Sequence, residues 1–117
     1  MRERRTAPRL ALQARFKANV IDGDSSGEDD SCAGWTQDAS VGGLNVKARR
    51  SLPLHSNVEI DLQCTRPIEE LKIRGRVGWV RQESGNKTYL IGIFLDSSRK
   101  EDLITWRRLL ERRGLNL

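Results

Sequence analysis

An all-β-dominated fold, a small antiparallel β-barrel of about six strands with one C-terminal α-helix packed on it, is what this 117-residue sequence predicts. Three observations carry that expectation. Short segments in which apolar and polar residues alternate succeed one another closely, separated by turns rich in Gly, Asn, Ser and Pro, and an alternation of period two marks a strand with one buried face. No helical crossover interrupts them, so successive strands are antiparallel neighbours in a sheet that closes on itself. Only after the last strand do apolar residues recur at helical spacing, at Leu103, Trp106, Leu109 and Leu110. The length suits one hydrophobic core, hence one domain over residues 1–117.

Residues 1–10 hold few apolar groups and contain Pro8, so a flexible arginine-rich arm without regular structure is expected there. The barrel is expected over residues 12–96. Its first strand runs from Leu12 to Ile21, where Phe16, Ala18 and Val20 alternate with Arg15, Lys17 and Asn19. Asp22 to Gly34 is dense in Asp, Ser and Gly and reads as a mobile loop. Trp35 to Asp38 forms a short strand and Gly43 to Ala48 the next, with Leu44 and Val46 inward. Turn residues and Pro53 fill 49–57, and Val58 to Leu62 alternates again. After a break at Thr65-Arg66-Pro67 comes a long strand ending near Arg81, with Leu71, Ile73, Val77 and Trp79 on one face, which assigns Trp79 to the core. A hairpin loop from Glu83 to Lys87 leads into the apolar strand Thr88 to Leu95. The helix is expected over 98–113: Ser98 and Glu101 have capping-box spacing, Gly114 supplies a stop, and the apolar stripe covers the open mouth of the barrel.

The net charge of +5 is unevenly spread. Residues 1–17 carry six basic side chains and one acidic, whereas residues 22–30 carry five acidic and no basic ones. No apolar run approaches the ~20 residues of a membrane span, and the arginine-rich start has no apolar region behind it, so no membrane insertion and a cytoplasmic location are expected. Cys32 and Cys64 lack C-x-x-C spacing and read as free thiols. His55 is the sole histidine and completes no general-base pair. With no metal-ligand cluster and no phosphate loop ahead of a helix, neither catalysis nor a metal or other cofactor is expected. Asp22-Gly23-Asp24 opens like a calcium loop, but the glycine and glutamate that such a loop needs further on are missing.

The stretch with readable chemistry is Asp38-Ala39-Ser40-Val41-Gly42-Gly43. In an extended chain Asp38 and Ser40 face the same side. Gly43, with Gly42 beside it, permits a positive φ or a close backbone approach. Alone, these residues are also the vocabulary of an ordinary turn. They gain meaning from the amino-terminal segment, where Arg5 and Arg9 stand at R-x-x-x-R spacing just before the first strand. An R-x-x-x-R segment, a strand and then D-x-S-x-x-G resembles the PilZ domain, the family of bacterial receptors for the second messenger cyclic di-GMP. Gly75-Arg76-Val77-Gly78-Trp79-Val80 is similar to that family's G-x-V-x-W-V strand, and Tyr89 to Asp96 to the strand before its last helix, so the resemblance covers nearly the whole chain. The acidic segment 22–30 departs from it, being longer than a tight turn.

The resemblance implies a receptor that is not an enzyme, with Arg5 and Arg9 on guanine and phosphate and with Asp38, Ser40, Gly42 and Gly43 cradling the other side of cyclic di-GMP. Arg4 adds a third guanidinium suited to two mutually intercalated ligand molecules per chain. The residue chemistry agrees. Arginine's planar fork binds guanine O6/N7 or phosphate bidentately and stacks on bases, and a carboxylate accepts from guanine N1 and N2. The implied output is a conformational change read by a downstream protein partner, which no motif identifies. Two other classes compete. A nucleic-acid-binding barrel would use the arm with Trp35 and Trp79 as stacking surfaces, but Trp79 falls in the inward register. An adaptor with the same fold and no ligand leaves the polar motif positions without a common reason.

Overall fold

The structure, a computed structural model, describes residues 8–21, 31–85 and 87–116. Six strands precede one helix: β1 (Ala14–Val20), β2 (Ser31–Ser40), β3 (Gly43–Ala48), β4 (Asn57–Cys64), β5 (Glu69–Gln82), β6 (Tyr89–Leu95) and α1 (Lys100–Arg112). All pairings are antiparallel, and the order β1-β2-β3-β6-β5-β4 closes because β4 returns to β1. β5 is long enough to serve two neighbours: Glu69–Arg76 pairs with β4 and Gly75–Gln82 with β6. The six-stranded barrel with its C-terminal helix is therefore as the alternation predicts.

One side chain in two from each strand enters the interior, where Phe16, Val46, Ile60, Leu62, Ile73, Val77, Ile91 and Ile93 are almost wholly buried. Cys32 and Cys64 are free thiols on that same inner face, and burial pushes the Cys32 thiol up to about 11, which keeps it protonated and unreactive at neutral pH. α1 closes one mouth with Trp106, Leu109 and Leu110, each fully buried. Burying each such side chain contributes ~1.5–3 kcal/mol, so this short helix owes its stability to packing rather than propensity. The buried indole donates from Nε1 to the Ser40 carbonyl at 2.8 Å. At the far end of α1, Gly114 at φ +106° turns the chain, Leu115 N–H reaches the Leu110 carbonyl and Gly114 N–H the Glu111 carbonyl, a Schellman stop with Leu115 buried behind it. Arg113 donates to the Thr65 and Pro67 carbonyls, and Arg112 and Arg113 both bind Glu69, which ties the helix to the β4–β5 hairpin. No helix among the described residues is long and apolar enough to cross a membrane.

Four expectations are corrected. Ser31 to Gly34 belongs to β2 rather than to the preceding loop, because its backbone continues the ladder with β1 from Asn19↔Ser31 to Phe16↔Gly34. Trp79 points outward: the register slips between Val77↔Ile93 and Trp79↔Gly92, and the extra residue, Gly78, reverses the parity of the residues after it. The capping box does not form. Ser98 instead bonds the Asp96 carboxylate through both N–H and Oγ, and α1 begins at Lys100 with no side-chain cap. Finally, the end of the arm is not free of structure, since Leu10 and Ala39 exchange two backbone bonds of 2.8 Å. Residues 1–7 of the arm and the acidic segment 22–30 lie outside the described residues.

This packing can be tested at two places. Trp106→Phe removes the bond to the Ser40 carbonyl and part of the plug, so urea unfolding should show a loss of about 1–3 kcal/mol. A loss below ~0.5 kcal/mol, the level of an inert surface change, would show that the helix does not depend on this bond. A Cβ on Gly43 would lie 2.1 Å from the Ile93 carbonyl oxygen, while one on Gly42 meets nothing within 4 Å. Gly43→Ala should therefore cost about 1–3 kcal/mol and Gly42→Ala less than ~0.5 kcal/mol in the same assay.

Candidate functional site

The D-x-S-x-x-G stretch ends β2, turns at Val41-Gly42 and opens β3. Neither Gly42 nor Gly43 adopts a positive φ. Gly43 is needed instead for the close approach of β3 to the backbone of β6. Upstream, Thr36 faces inward and is buried, its Oγ1 accepting from the Ala14 amide at 2.9 Å and donating to the Leu12 carbonyl at 2.7 Å. Between Thr36↔Val46 and Asp38↔Asn45 the register slips by one residue, so Gln37 forms a bulge. Without it, two residues of spacing would send Asp38 inward beside Thr36. With it, Asp38 stands half-exposed on the outer face, Ala39 is buried in the core, and Ser40 has the strand parity of Asp38.

The segment before β1 runs along β2 as far as the Leu10↔Ala39 bridge, and this brings Arg9 to Asp38. The guanidinium donates to Asp38 Oδ1 from Nε at 2.9 Å and from Nη2 at 2.5 Å, and Asn45 Nδ2 donates to the same oxygen at 2.9 Å. Among the described residues no bond reaches Oδ2. The Arg9 and Asp38 side chains keep 47% and 37% of their surface exposed, so the pair is worth at most ~1 kcal/mol.

Of the residues expected in the site, Arg9 and Asp38 are brought into contact, and Ser40 and Gly43 face each other across the end of the same hairpin. Ser40 shares the face of Asp38 but is only 7% exposed. Gly42 lies at the exposed turn. Arg4 and Arg5 lie outside the described residues.

Two further residues, Asn45 and Phe94, were missed, and Trp79 was assigned to the core. Asn45, directly opposite Asp38, is a polar residue at an outward position of β3, as Lys47 is, and that was its only signal. The same rung continues from Asn45 to Gly92 on β6 and Trp79 on β5. Trp79 lies across Gly92, where a Cβ would sit 2.1 Å from its Nε1, and Phe94 lies across Gly78, where a Cβ would sit 2.0 Å from the ring. Both rings are exposed, and the Arg81 guanidinium lies 5.9 Å from the Trp79 ring centroid. A carboxylate, an amide, an arginine and an aromatic surface thus share one outer face, a set able to bind the edge and the plane of a nucleobase.

Comparison with known proteins bears on this arrangement. A search of curated protein sequences gives no match. Among solved structures, the chain is similar to the Bacillus subtilis inhibitor of motility MotI/DgrA, with a TM-score of 0.59 and 12% identity over 95% of this chain and 54% of that one. It therefore spans about half the length of that protein. It is also similar to the PilZ domain of CeSA from a cellulose-synthesizing bacterium, with a TM-score of 0.56 and 22% identity over 90% of this chain and 99% of that one. At these identities the likeness is one of fold. The PilZ domain profile matches residues 3–112, which takes in both the arginine segment and the whole barrel. The chain belongs to the PilZ domain family.

Proposed function

We propose that this protein is a bacterial, cytoplasmic receptor for cyclic di-GMP that acts by binding rather than by catalysis and passes its state to a protein partner. The observation that carries this reading is the Arg9–Asp38–Asn45 cluster on the outer face of a PilZ barrel. The arginine offers a fork for guanine O6/N7 or phosphate, and Asp38 Oδ2 is an acceptor for guanine N1 and N2. Arg4 and Arg5 bring further cations to the two phosphates, while Ser40, Gly42 and Gly43 let the ligand approach the backbone of the turn. Trp79 and Phe94 extend the site with flat apolar surface. The neighbour's description as an inhibitor of motility supports an effector role.

The cost of opening the site supports the same reading. The Arg9–Asp38 pair contributes at most ~1 kcal/mol, whereas each charge-assisted hydrogen bond to a ligand contributes ~1.5–3 kcal/mol. A nucleotide therefore competes successfully for both partners, and the arm ahead of Arg9 is repositioned as it does so. That displacement is the conformational signal in this proposal.

Arg9→Ala and Asp38→Ala should each weaken cyclic di-GMP binding at least ~tenfold without a divalent metal entering the reaction. Calorimetry on folded variants checks this, and wild-type affinity in both would sink the site assignment. The stoichiometry tests Arg4. Two intercalated ligands bring four phosphate charges together, and a third guanidinium lowers their repulsion and extends the base stack. Two ligands per chain are expected, changing toward one in Arg4→Leu. A wild-type stoichiometry of one, unmoved by that substitution, would remove the role of Arg4.

A further inference from the structure

A second outward-facing surface lies on β1, β2 and β3, where the register sets Lys47, Trp35 and Arg15 in one row and Lys17 beside Ala33 in the next. With Arg49 and the facing parts of β4 and β5 they line an open cleft of about 1180 Å³. Trp35 is 59% exposed, more than Trp79 at 37% and far more than Trp106 at 0%. The Arg15 guanidinium lies over its ring, 5.3 Å from the centroid. An indole held in solvent by a cation, over a floor kept shallow by Ala33 and Gly34, is a preformed anchor rather than a misplaced core residue.

The charges around it are unequally satisfied. Lys47 is bound to Glu83 at 3.1 Å, and Lys72 lies 3.7 Å from Asp61 and 3.9 Å from Glu59. Among the described residues no carboxylate pairs with Arg15, Lys17 or Arg49. Three cations therefore surround the exposed ring. We propose that this cleft docks an acidic segment of a partner protein, which sets an apolar or aromatic side chain against Trp35 and carboxylates at Arg15, Lys17 and Arg49. A polypeptide fits better than a nucleic acid strand because Asp61 and Glu70 stand in the same cleft. They repel an evenly charged phosphate backbone, whereas a peptide places its charges selectively. Trp and Arg together are also the residues that most often anchor protein interfaces. The surface would serve the partner in the receptor reading above, yet the cleft needs no nucleotide to form and its test contains none, so either can fail alone.

The experiment selects a displayed library of random dodecapeptides on the immobilised full chain without nucleotide. It is repeated on Trp35→Ala and on the double variant Lys17→Glu, Arg49→Glu, all three being exposed positions whose replacement leaves the core intact. The expected result is enrichment of peptides with several carboxylates and one large apolar residue. Their affinity should fall at least ~tenfold in both variants and decline as salt rises. An oligothymidylate should not displace them. The proposal is overturned by enrichment of neutral or basic peptides, by no enrichment, by binding that survives both variants, or by displacement with oligothymidylate. Enrichment that appears only after Asp22, Asp24, Glu28, Asp29 and Asp30 are neutralised would assign the cleft to the chain's own acidic segment and overturn it equally.

Discussion

The bond from the Trp106 indole to the Ser40 carbonyl joins three things that otherwise have no reason to be coordinated. A six-stranded barrel filled by aliphatic side chains has a mouth that must be closed, and a large flat ring closes it well. The ring carries an N–H that needs an acceptor once it is out of water. That acceptor belongs to the last residue of β2, two positions beyond Asp38. Closing the core thereby fixes the hairpin on which the polar site is built, and the site inherits the rigidity of the interior rather than the mobility of a surface turn.

Two one-residue irregularities decide what the outer face contains. Gln37 and Gly78 each add a residue to a strand whose neighbour has none, and each reverses which side the next residues face. The first turns Asp38 out after the inward Thr36, and the second turns Trp79 out after the inward Val77. Asn45 and Gly92 lie between them on one rung, so the carboxylate and the indole share that face, with the glycine making room for the ring. Weak pairing of Arg9 to Asp38 completes the arrangement, since a contact exposed to water orients the arm without locking it.

Much of this was legible in the residues. Period-two alternation located β1, β3 and β4 and their buried faces, an apolar run after a hairpin loop located β6, and the spacing of Leu103, Trp106, Leu109 and Leu110 located α1. The D-x-S-x-x-G and R-x-x-x-R spacings singled out Asp38 and Arg9, which the fold brings into contact across 29 positions of sequence. What escaped was set by tertiary register. A bulge has no sequence mark beyond a glycine or a polar residue, so Trp79 counted as inward. Asn45 matters because of what stands across from it. Ser98 had the spacing of a cap, but Asp96, two residues earlier, offered its N–H and hydroxyl a nearer partner. Ser31 to Gly34 has turn composition, and only the ladder of β1 makes it a strand.

The stitching of the arm to β2 carries one more consequence. Leu10 is pinned to Ala39 and the backbone at Leu12 and Ala14 to the Thr36 hydroxyl, so the stretch between the arginines and the barrel is a measured length of extended chain rather than a tether. Inserting or deleting a single residue there would carry Arg9 to the opposite side of the strand and away from its carboxylate, at the expense of the Leu10 and Leu12 contacts but with the pairing of the six strands in place. The distance between the arginine motif and β1 is thus as much a part of the site as the motif itself, and loss of one codon in that stretch would abolish the site in a protein that still folds.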